Sequence, residues 1–231
     1  ASAAKSDWDG ASVSEPMVVK EGEGAYVLWY QGRNKVGQKH NQIGRAVSAD
    51  GIAWTRAPDT PVLSHSGIGG AFDEIDAGAP AVIFDGATYM MWYGGRGRSK
   101  PAIGLATSGD GIAWTKWAGN PVLRGDAGRF DTNGAASPHV VRTPGGYLMS
   151  YTGTDGVGVT RIGIATSADG MTWVKSAANP VLAGSAGAWI ADVLLSLFGY
   201  VAYLFPVLLG YRAWALVRDR QSPFVFDWLL V

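Results

Sequence analysis

The stretch "IGLATSGDGIAWTKWAGNPVL" (residues 103–123) occurs three times in this 231-residue chain. Its counterparts are "IGRAVSADGIAWTRAPDTPVL" (residues 43–63) and "IGIATSADGMTWVKSAANPVL" (residues 162–182), and the three align without gaps. Trp54, Trp114 and Trp173 therefore recur at intervals of 60 and 59 residues. A second shared block lies upstream of each copy: "EPMVVKEGEGAYVLWYQGR", "APAVIFDGATYMMWYGGR" and "SPHVVRTPGGYLMSYTGT". Ahead of that stands an aromatic residue followed by aspartate: Trp8-Asp9, Phe72-Asp73 and Phe130-Asp131. Periodicity on this scale marks a repeat architecture.

Each unit reads as four short strands. "MVV", "AVI" and "HVV" form the first, each preceded by a proline where a missing N–H costs little. "AYVLWY", "TYMMWY" and "GYLMSY" form the second, and glycine-containing turns join the two as hairpins. "IGLATS" and its equivalents form the third. The S-x-D-G-x-x-W stretch then turns the chain, and its tryptophan opens the fourth strand. Asp50, Asp110 and Asp169 are placed to bond local backbone N–H groups, and the glycine after each tolerates positive φ. The composition agrees, with 33 glycines, 10 tryptophans and 9 tyrosines favouring an all-β protein with many tight turns. Four antiparallel strands per sixty-residue unit predict β-propeller blades, at about 8–63, 72–123 and 130–182. Trp29, Trp92, Tyr30, Tyr93 and Tyr151 are expected in the core between blades.

The formal net charge is zero, so bulk electrostatics give no reason to expect a nucleic-acid partner. There are no cysteines, which removes disulfides and thiolate metal sites. The three histidines, His40, His65 and His139, are scattered and make no metal constellation, so neither metal nor cofactor is expected. The chain starts "ASAA", which fits either a signal-peptide remnant or the end of a fragment.

The pattern P-x-V-[IV]…Y-x-M-x-Y-x-G…I-G-x-A-x-S-x-D-G-x-x-W…N-P-V-L resembles the five-bladed propellers of the arabinanase, levansucrase and invertase superfamily. Residues 7–188 carry the resemblance, and it implies a carbohydrate-active fold. Three repeats are present where five would close the ring, which implies an incomplete ring and open blade edges prone to self-association. "SADGMTW" is also similar to the Asp-box of sialidases, but lacks the residue between Asp and Gly. That motif is a turn away from the chemistry, and no arginine triad accompanies it.

Glycoside cleavage in the superfamily implies two carboxylates flanking an oxocarbenium-like transition state. Residues just before each first strand are expected near the channel mouth: Glu15, Ala79 and Ser137, with Ser12, Asp76 and Gly134 three positions earlier. Glu15 and Asp76 are thus carboxylates that break the repeat, and they are the catalytic candidates. Asp9, Asp73 and Asp131 repeat in every unit, which argues for a shared structural task. His139 stands where other units have Met17 and Ala81, and is a candidate for binding a sugar hydroxyl. Arg33 and Arg96 follow the second strands, where the third unit has Thr154-Asp155. Arg33, Arg96 and Asp155 complete the candidate substrate-binding set, and a solvated loop charge is the competing reading for each. No nucleophile motif of the "N-D-P" kind is found in the first unit.

After residue 188 the pattern stops. Residues 193–211 carry no charge and would span roughly 28 Å as a helix, close to the thickness of a bilayer core. Trp189, Tyr211 and Trp214 flank the run, and Arg212, Arg218 and Arg220 follow it. The positive-inside rule puts that end in the cytoplasm and the propeller outside it. Residues 189–231 are therefore expected to hold a transmembrane helix and the start of a second apolar segment. "GAWIADVLLSLFGYVAYLFPVLLGYRAW" is similar to a segment of the N-terminal membrane region of FtsK-type DNA translocases. No Walker loop is present, so no ATPase activity follows. Three functional readings stand: a membrane-tethered carbohydrate-active propeller, a propeller that only binds glycan or protein, and a chimeric join of two unrelated pieces. Trp189 is where the two patterns meet. It aligns with Phe130, yet the next residue is Ile190 rather than aspartate.

Overall fold

The computed structural model describes residues 8–35, 37 and 39–183. The expected membrane segment and Trp189 lie outside the described residues. No helix occurs among the described residues, and none there is long and apolar enough to cross a membrane. The described residues are all-β: three four-stranded antiparallel sheets, the arrangement of propeller blades.

The first sheet runs in the order β1 (Ser12–Gly22), β2 (Ala25–Arg33), β3 (Asn41–Ser48), β4 (Thr55–Arg56). The second repeats it with β5 (Asp76–Phe84), β6 (Tyr89–Arg96), β7 (Ala102–Ser108) and β8 (Thr115–Lys116). The third is β9 (Ala135–Thr143), β10 (Gly146–Thr154), β11 (Thr160–Ser167) and β12 (Val174–Lys175). The short β13 (Leu182–Ala183) pairs with β11, as Leu63 bridges Ile43 and Leu123 bridges Ile103 in the other two. β5 packs against both β1 and β9, so the first strands of the blades converge.

The S-x-D-G-x-x-W turn is built as the sequence implies. Asp110 Oδ1 accepts from the amides of Ile112 and Ala113, both at 2.8 Å, and Ser108 Oγ accepts from the amide of Gly111 at 2.9 Å. Asp50 and Asp169 do the same, and Gly51, Gly111 and Gly170 have φ of 76°, 70° and 75°. These amide bonds hold the Asp169 carboxyl down at about 2.

The repeated aspartates brace each blade. Asp9, Asp73 and Asp131 are buried, and each accepts a hydrogen bond at 3.0 Å from the tyrosine of the second strand, Tyr30, Tyr93 or Tyr151. Each also pairs with a cation on the fourth strand: Arg56 at 2.8 Å, Lys116 at 2.5 Å and Lys175 at 2.6 Å. Lys116 and Lys175 reach further, to the carbonyls of Ser64 and Arg124 in the preceding linker. The neighbouring aromatic explains two more repeated residues. Phe72 lies across Gly95 and Gly104, where any Cβ would strike its ring, and Phe130 lies likewise across Gly153 and Gly163. The glycines of Y-x-G and I-G are therefore spaces for a ring rather than turn residues.

Between blades the core is aromatic, as expected. Trp29, Trp92, Tyr93 and Tyr151 are fully buried, and Tyr30 nearly so. Trp29 sits against Tyr89 and Trp114 of the second blade, and its Nε1–H donates to the carbonyl of Gly111 at 3.2 Å. Trp92 sits against Tyr147 and Trp173 of the third, and donates to Gly170 at 2.8 Å. Truncating a buried tryptophan of this kind costs about 3–5 kcal/mol.

The tyrosines give the fold an alkaline limit. Burial pushes Tyr30 up to about 12, with Asp9 adding to the rise and Arg56 opposing it. Burial and then Glu21 push Tyr89 up to about 12 as well, and Tyr93 and Tyr151 rise further. An unfolded tyrosine ionises near pH ~10. Because the folded pKa is the higher one, this stabilisation is complete below pH ~10 and is lost as pH rises toward about 12. Urea midpoints should therefore hold steady to about pH 10 and fall above it, with the tyrosinate absorbance of Tyr30, Tyr89, Tyr93 and Tyr151 appearing as the protein unfolds.

Candidate functional site

The strands place the candidate residues at the end of the sheets where the first strand of each blade begins. At that end the backbone is unusual in all three blades. Glu15, Ala79 and Ser137 have φ of 51°, 48° and 47°, in the left-handed region, although none is glycine. Each lies in a bulge of the innermost strand, where the register shifts between Ser14 and Met17, between Gly78 and Ala81, and opposite Ser150 and Thr152. The conformation costs about 1–2 kcal/mol per residue, and the bulge turns these residues away from the regular ladder. Glu15 is exposed.

Asp76 and Arg96 are brought together. They are direct cross-strand partners at the start of β5 and the end of β6. Arg96 Nε donates to Asp76 Oδ2 at 2.5 Å, and its Nη2 also reaches that oxygen. The other oxygen of Asp76 accepts from the backbone amide of Asn41, in the first blade, at 2.7 Å. Asp76 is buried, and both its oxygens are occupied. It ties the first blade to the second and fixes where Arg96 can point.

Two residues with no pattern in the sequence join this pair. The rings of His40 and His65 lie 4.4 Å apart, centroid to centroid. His40 Nδ1 donates to the carbonyl of Ile75, the residue before Asp76, at 2.7 Å. That bond fixes the tautomer and leaves Nε2 of His40 as the lone-pair nitrogen in the neutral ring. Asn41 Oδ1 and His65 Nδ1 are buried and have no hydrogen-bond partner among the described residues. His40 comes from the loop before β3, His65 from the linker between blades, and Asp76 and Arg96 from the second blade. Only the closure of one blade on the next assembles them, so no local motif could have announced the cluster.

The remaining candidates lie apart from it. Arg33 is the first-blade equivalent of Arg96, but its cross-strand partner is Ser12, and it is exposed. Asp155 accepts from the amides of Val157 and Val159 at 3.0 and 2.8 Å and from Arg161 at 2.6 Å. These bonds hold its carboxyl below the usual range, Arg161 contributing most, and make it a turn residue in the loop after β10. His139 is exposed and directly opposite Ser150. That pair replaces Ala81 opposite Trp92 and Met17 opposite Trp29 in the other blades. No group of three or more His, Cys, Asp or Glu residues suited to a metal ion occurs among the described residues.

Solved structures share this architecture. A family 117 glycoside hydrolase from the marine bacterium Zobellia galactanivorans matches 78% of this chain and 57% of its own, with a TM-score of 0.62 and 16% identity. A member of the GH130 family of mannoside phosphorylases, described as containing hydrolases that target beta-1,2 mannosidic linkages in Candida mannan, matches 74% and 50%, with a TM-score of 0.56 and 22% identity. The structural neighbours are thus glycoside hydrolase propellers, and at these identities they show the fold. An uncharacterized protein of Mycobacterium tuberculosis is 33% identical over 204 residues, 83% of this chain and 64% of the relative. The chain thus spans less than two thirds of that relative's length.

The C-terminal part has different relatives. Residues 147–230 match the family described as the 4TM region of DNA translocase FtsK/SpoIIIE. The first part of that match, up to residue 182, is folded here as the third blade. A DNA translocase FtsK of Pseudomonas putida is 43% identical over 54 residues, 21% of this chain and 6% of the relative. The end of the chain is therefore similar to a membrane-associated region.

The Asp76–Arg96 pair is open to a direct energetic test. Asp76 is buried, but the Arg96 side chain is about half exposed, at 52%. A double-mutant cycle with Asp76→Asn and Arg96→Met should give a coupling of about 1–2 kcal/mol, between a surface pair and a fully buried one. Urea denaturation of the four proteins measures it.

Proposed function

We propose that the repeats form part of a five-bladed, carbohydrate-active propeller that acts on or binds an oligosaccharide or polysaccharide at the end of the sheets where the first strands begin. The observation that carries this reading is the polar cluster of Asp76, Arg96, His40, His65 and Asn41 at that end of a glycoside hydrolase-like fold. Buried polar atoms without partners among the described residues, Asn41 Oδ1 and His65 Nδ1, suit a hydroxyl-rich ligand, whose O–H groups both donate and accept. In this reading Glu15 is the residue that exchanges a proton with the glycosidic oxygen or with water. It is carried on a bulged, left-handed backbone. Asp76 is paired with Arg96 and serves as the second carboxylate, oriented by Asn41. His139, Arg33 and Asp155 contribute to sugar contacts only where further blades bring substrate to them.

Arabinan, fructan and mannan oligosaccharides, with and without inorganic phosphate, test the activity on the chain extended to five blades. Glycan binding by calorimetry tests the non-enzymatic form of the reading. Glu15→Gln should lower turnover by about 100-fold or more while leaving ligand binding in place. Unchanged turnover in both Glu15→Gln and Asp76→Asn would remove these residues from the mechanism.

Residues 193–211 are proposed to anchor the propeller outside the cytoplasm. A second reading has its own observation. The mycobacterial relatives and the translocase relatives are disjoint sets, and the repeat gives way to the translocase-like pattern close to Trp189. That is what a chimeric join of two genes leaves behind. Long-read sequencing across codons 183–192 in the source DNA separates the readings. One uninterrupted reading frame supports the tethered propeller, and two separate genes establish the join.

A further inference from the structure

The contacts between blades have a direction. The first and second blades each present a tryptophan on one face, and the second and third blades each hold it in a receptor on the other. The receptor of the second blade is Tyr89, Trp114 and the Gly111 carbonyl, and it holds Trp29. The receptor of the third blade is Tyr147, Trp173 and the Gly170 carbonyl, and it holds Trp92. In both, the glycine carbonyl accepts two indole N–H groups. Gly111 takes its second from Trp114 at 3.1 Å, and Gly170 from Trp173 at 3.0 Å. Both glycines also make room for the incoming ring. A Cβ at Gly111 would come within 3.0 Å of Trp29, and one at Gly170 within 2.8 Å of Trp92.

The first blade has the same parts. Trp54 Nε1–H donates to the Gly51 carbonyl at 3.2 Å, Gly51 has the same positive φ, and Tyr26 lies beside it. Among the described residues no second indole reaches Gly51, and a Cβ there would meet only the Tyr26 ring, at 3.9 Å. The surrounding face is apolar and open. Val13 is 60% exposed and Val18 48%, whereas their second-blade equivalents, Ala77 and Val82, are buried.

We infer that Tyr26, Trp54 and the Gly51 carbonyl form a receptor for an indole side chain, and that its occupant is a further blade carrying tryptophan at the position of Trp29 and Trp92. A second copy of this chain does not fit the receptor. The only blade face that a copy could offer among the described residues is that of the third blade, and there Ser150 replaces the tryptophan and His139 the apolar residue opposite it. The protein therefore has a specific docking face on the first blade and a polar mismatch on the third. Head-to-tail growth of copies, the usual hazard of a heterologous contact, is blocked by that mismatch. The M. tuberculosis relative is longer than the matched stretch by about a third of its length, room enough for such a blade.

The test restores the missing side chain. In the full chain, purified in a mild detergent, His139→Ala combined with Ser150→Trp recreates the Ala81–Trp92 pair on the third blade. Sedimentation should show self-association at least about tenfold tighter than wild type. Adding Trp54→Ala to that variant should abolish the gain. Wild-type chains that associate as strongly through Trp54, or a variant that folds but gains nothing, would overturn the proposal. Single truncations in the wild-type background decide independently of whether the double variant folds. An unfilled receptor predicts that Trp54→Ala lowers Tm by less than about half as much as Trp114→Ala or Trp173→Ala. Equal losses would mean that the receptor is already filled, and the inference would fail.

Discussion

A buried carboxylate organises each blade. Asp73 takes the Tyr93 hydroxyl from the second strand and the Lys116 ammonium from the fourth, and that same lysine holds a carbonyl of the preceding linker. One side chain thus ties the second and fourth strands, which are not direct neighbours in the sheet, to the linker. Removing such a charge from water costs several kcal/mol, and only excellent geometry offsets it. At Asp131 burial alone would raise the pKa. Lys175, the amide of Asp126 and Tyr151 more than offset it and leave the carboxyl below the usual range, so this brace is ionised at neutral pH. The aromatic residue just before each aspartate lies over glycines of the second and third strands. Brace and ring together explain why aspartate, tyrosine and the two glycines recur in step.

That coupling is also why so much of the fold is legible in the sequence. The turn residues, the strand glycines and the second-strand tyrosine recur because each serves a local or intra-blade contact, and repetition makes such contacts visible. The structural role of the repeated aspartates follows from the same logic. The left-handed residues do not. Glu15, Ala79 and Ser137 share no residue type, and the proline after each points only to an extended backbone. The site is less legible still. Asp76 stands out as a break in the repeat, but its partner Arg96 is identified only by cross-strand register. Arg33, which looks equivalent, faces Ser12 instead. His40 and His65 are 25 positions apart in loops, and meet only because the linker between blades passes over the β2–β3 loop.

Departures from the repeat therefore fall into two kinds. At the end where the first strands begin, departures introduce charge and hydrogen-bonding groups: Glu15, Asp76, and the histidines of the flanking loops. These sit where the innermost strands converge, the region in which several blades can contact one ligand. On the flat face of the third blade, the departure is paired. Ser150 and His139 change together at one cross-strand position, from an apolar pair, Trp29–Met17 or Trp92–Ala81, to a polar one. A single change would leave either a tryptophan against an imidazole or a gap beside a serine, so the pair is best understood as one alteration of the face.

The directionality of the tryptophan contact gives this alteration its consequence. Area burial between sheets is non-specific, and apolar faces such as those left by Val13 and Val18, or by Val141 and Ile162, would tolerate many partners. An indole N–H aimed at one glycine carbonyl, between two further rings, tolerates few. Specificity between blades then resides in a polar group inside an apolar contact: an unsatisfied N–H in that setting costs about 1–3 kcal/mol, enough to reject a misplaced blade. Blades that share one scaffold can thus be ordered by a single atom on each face. Among the described residues Ser150 breaks the series of latch tryptophans, so a blade stacked on that face would meet a different rule.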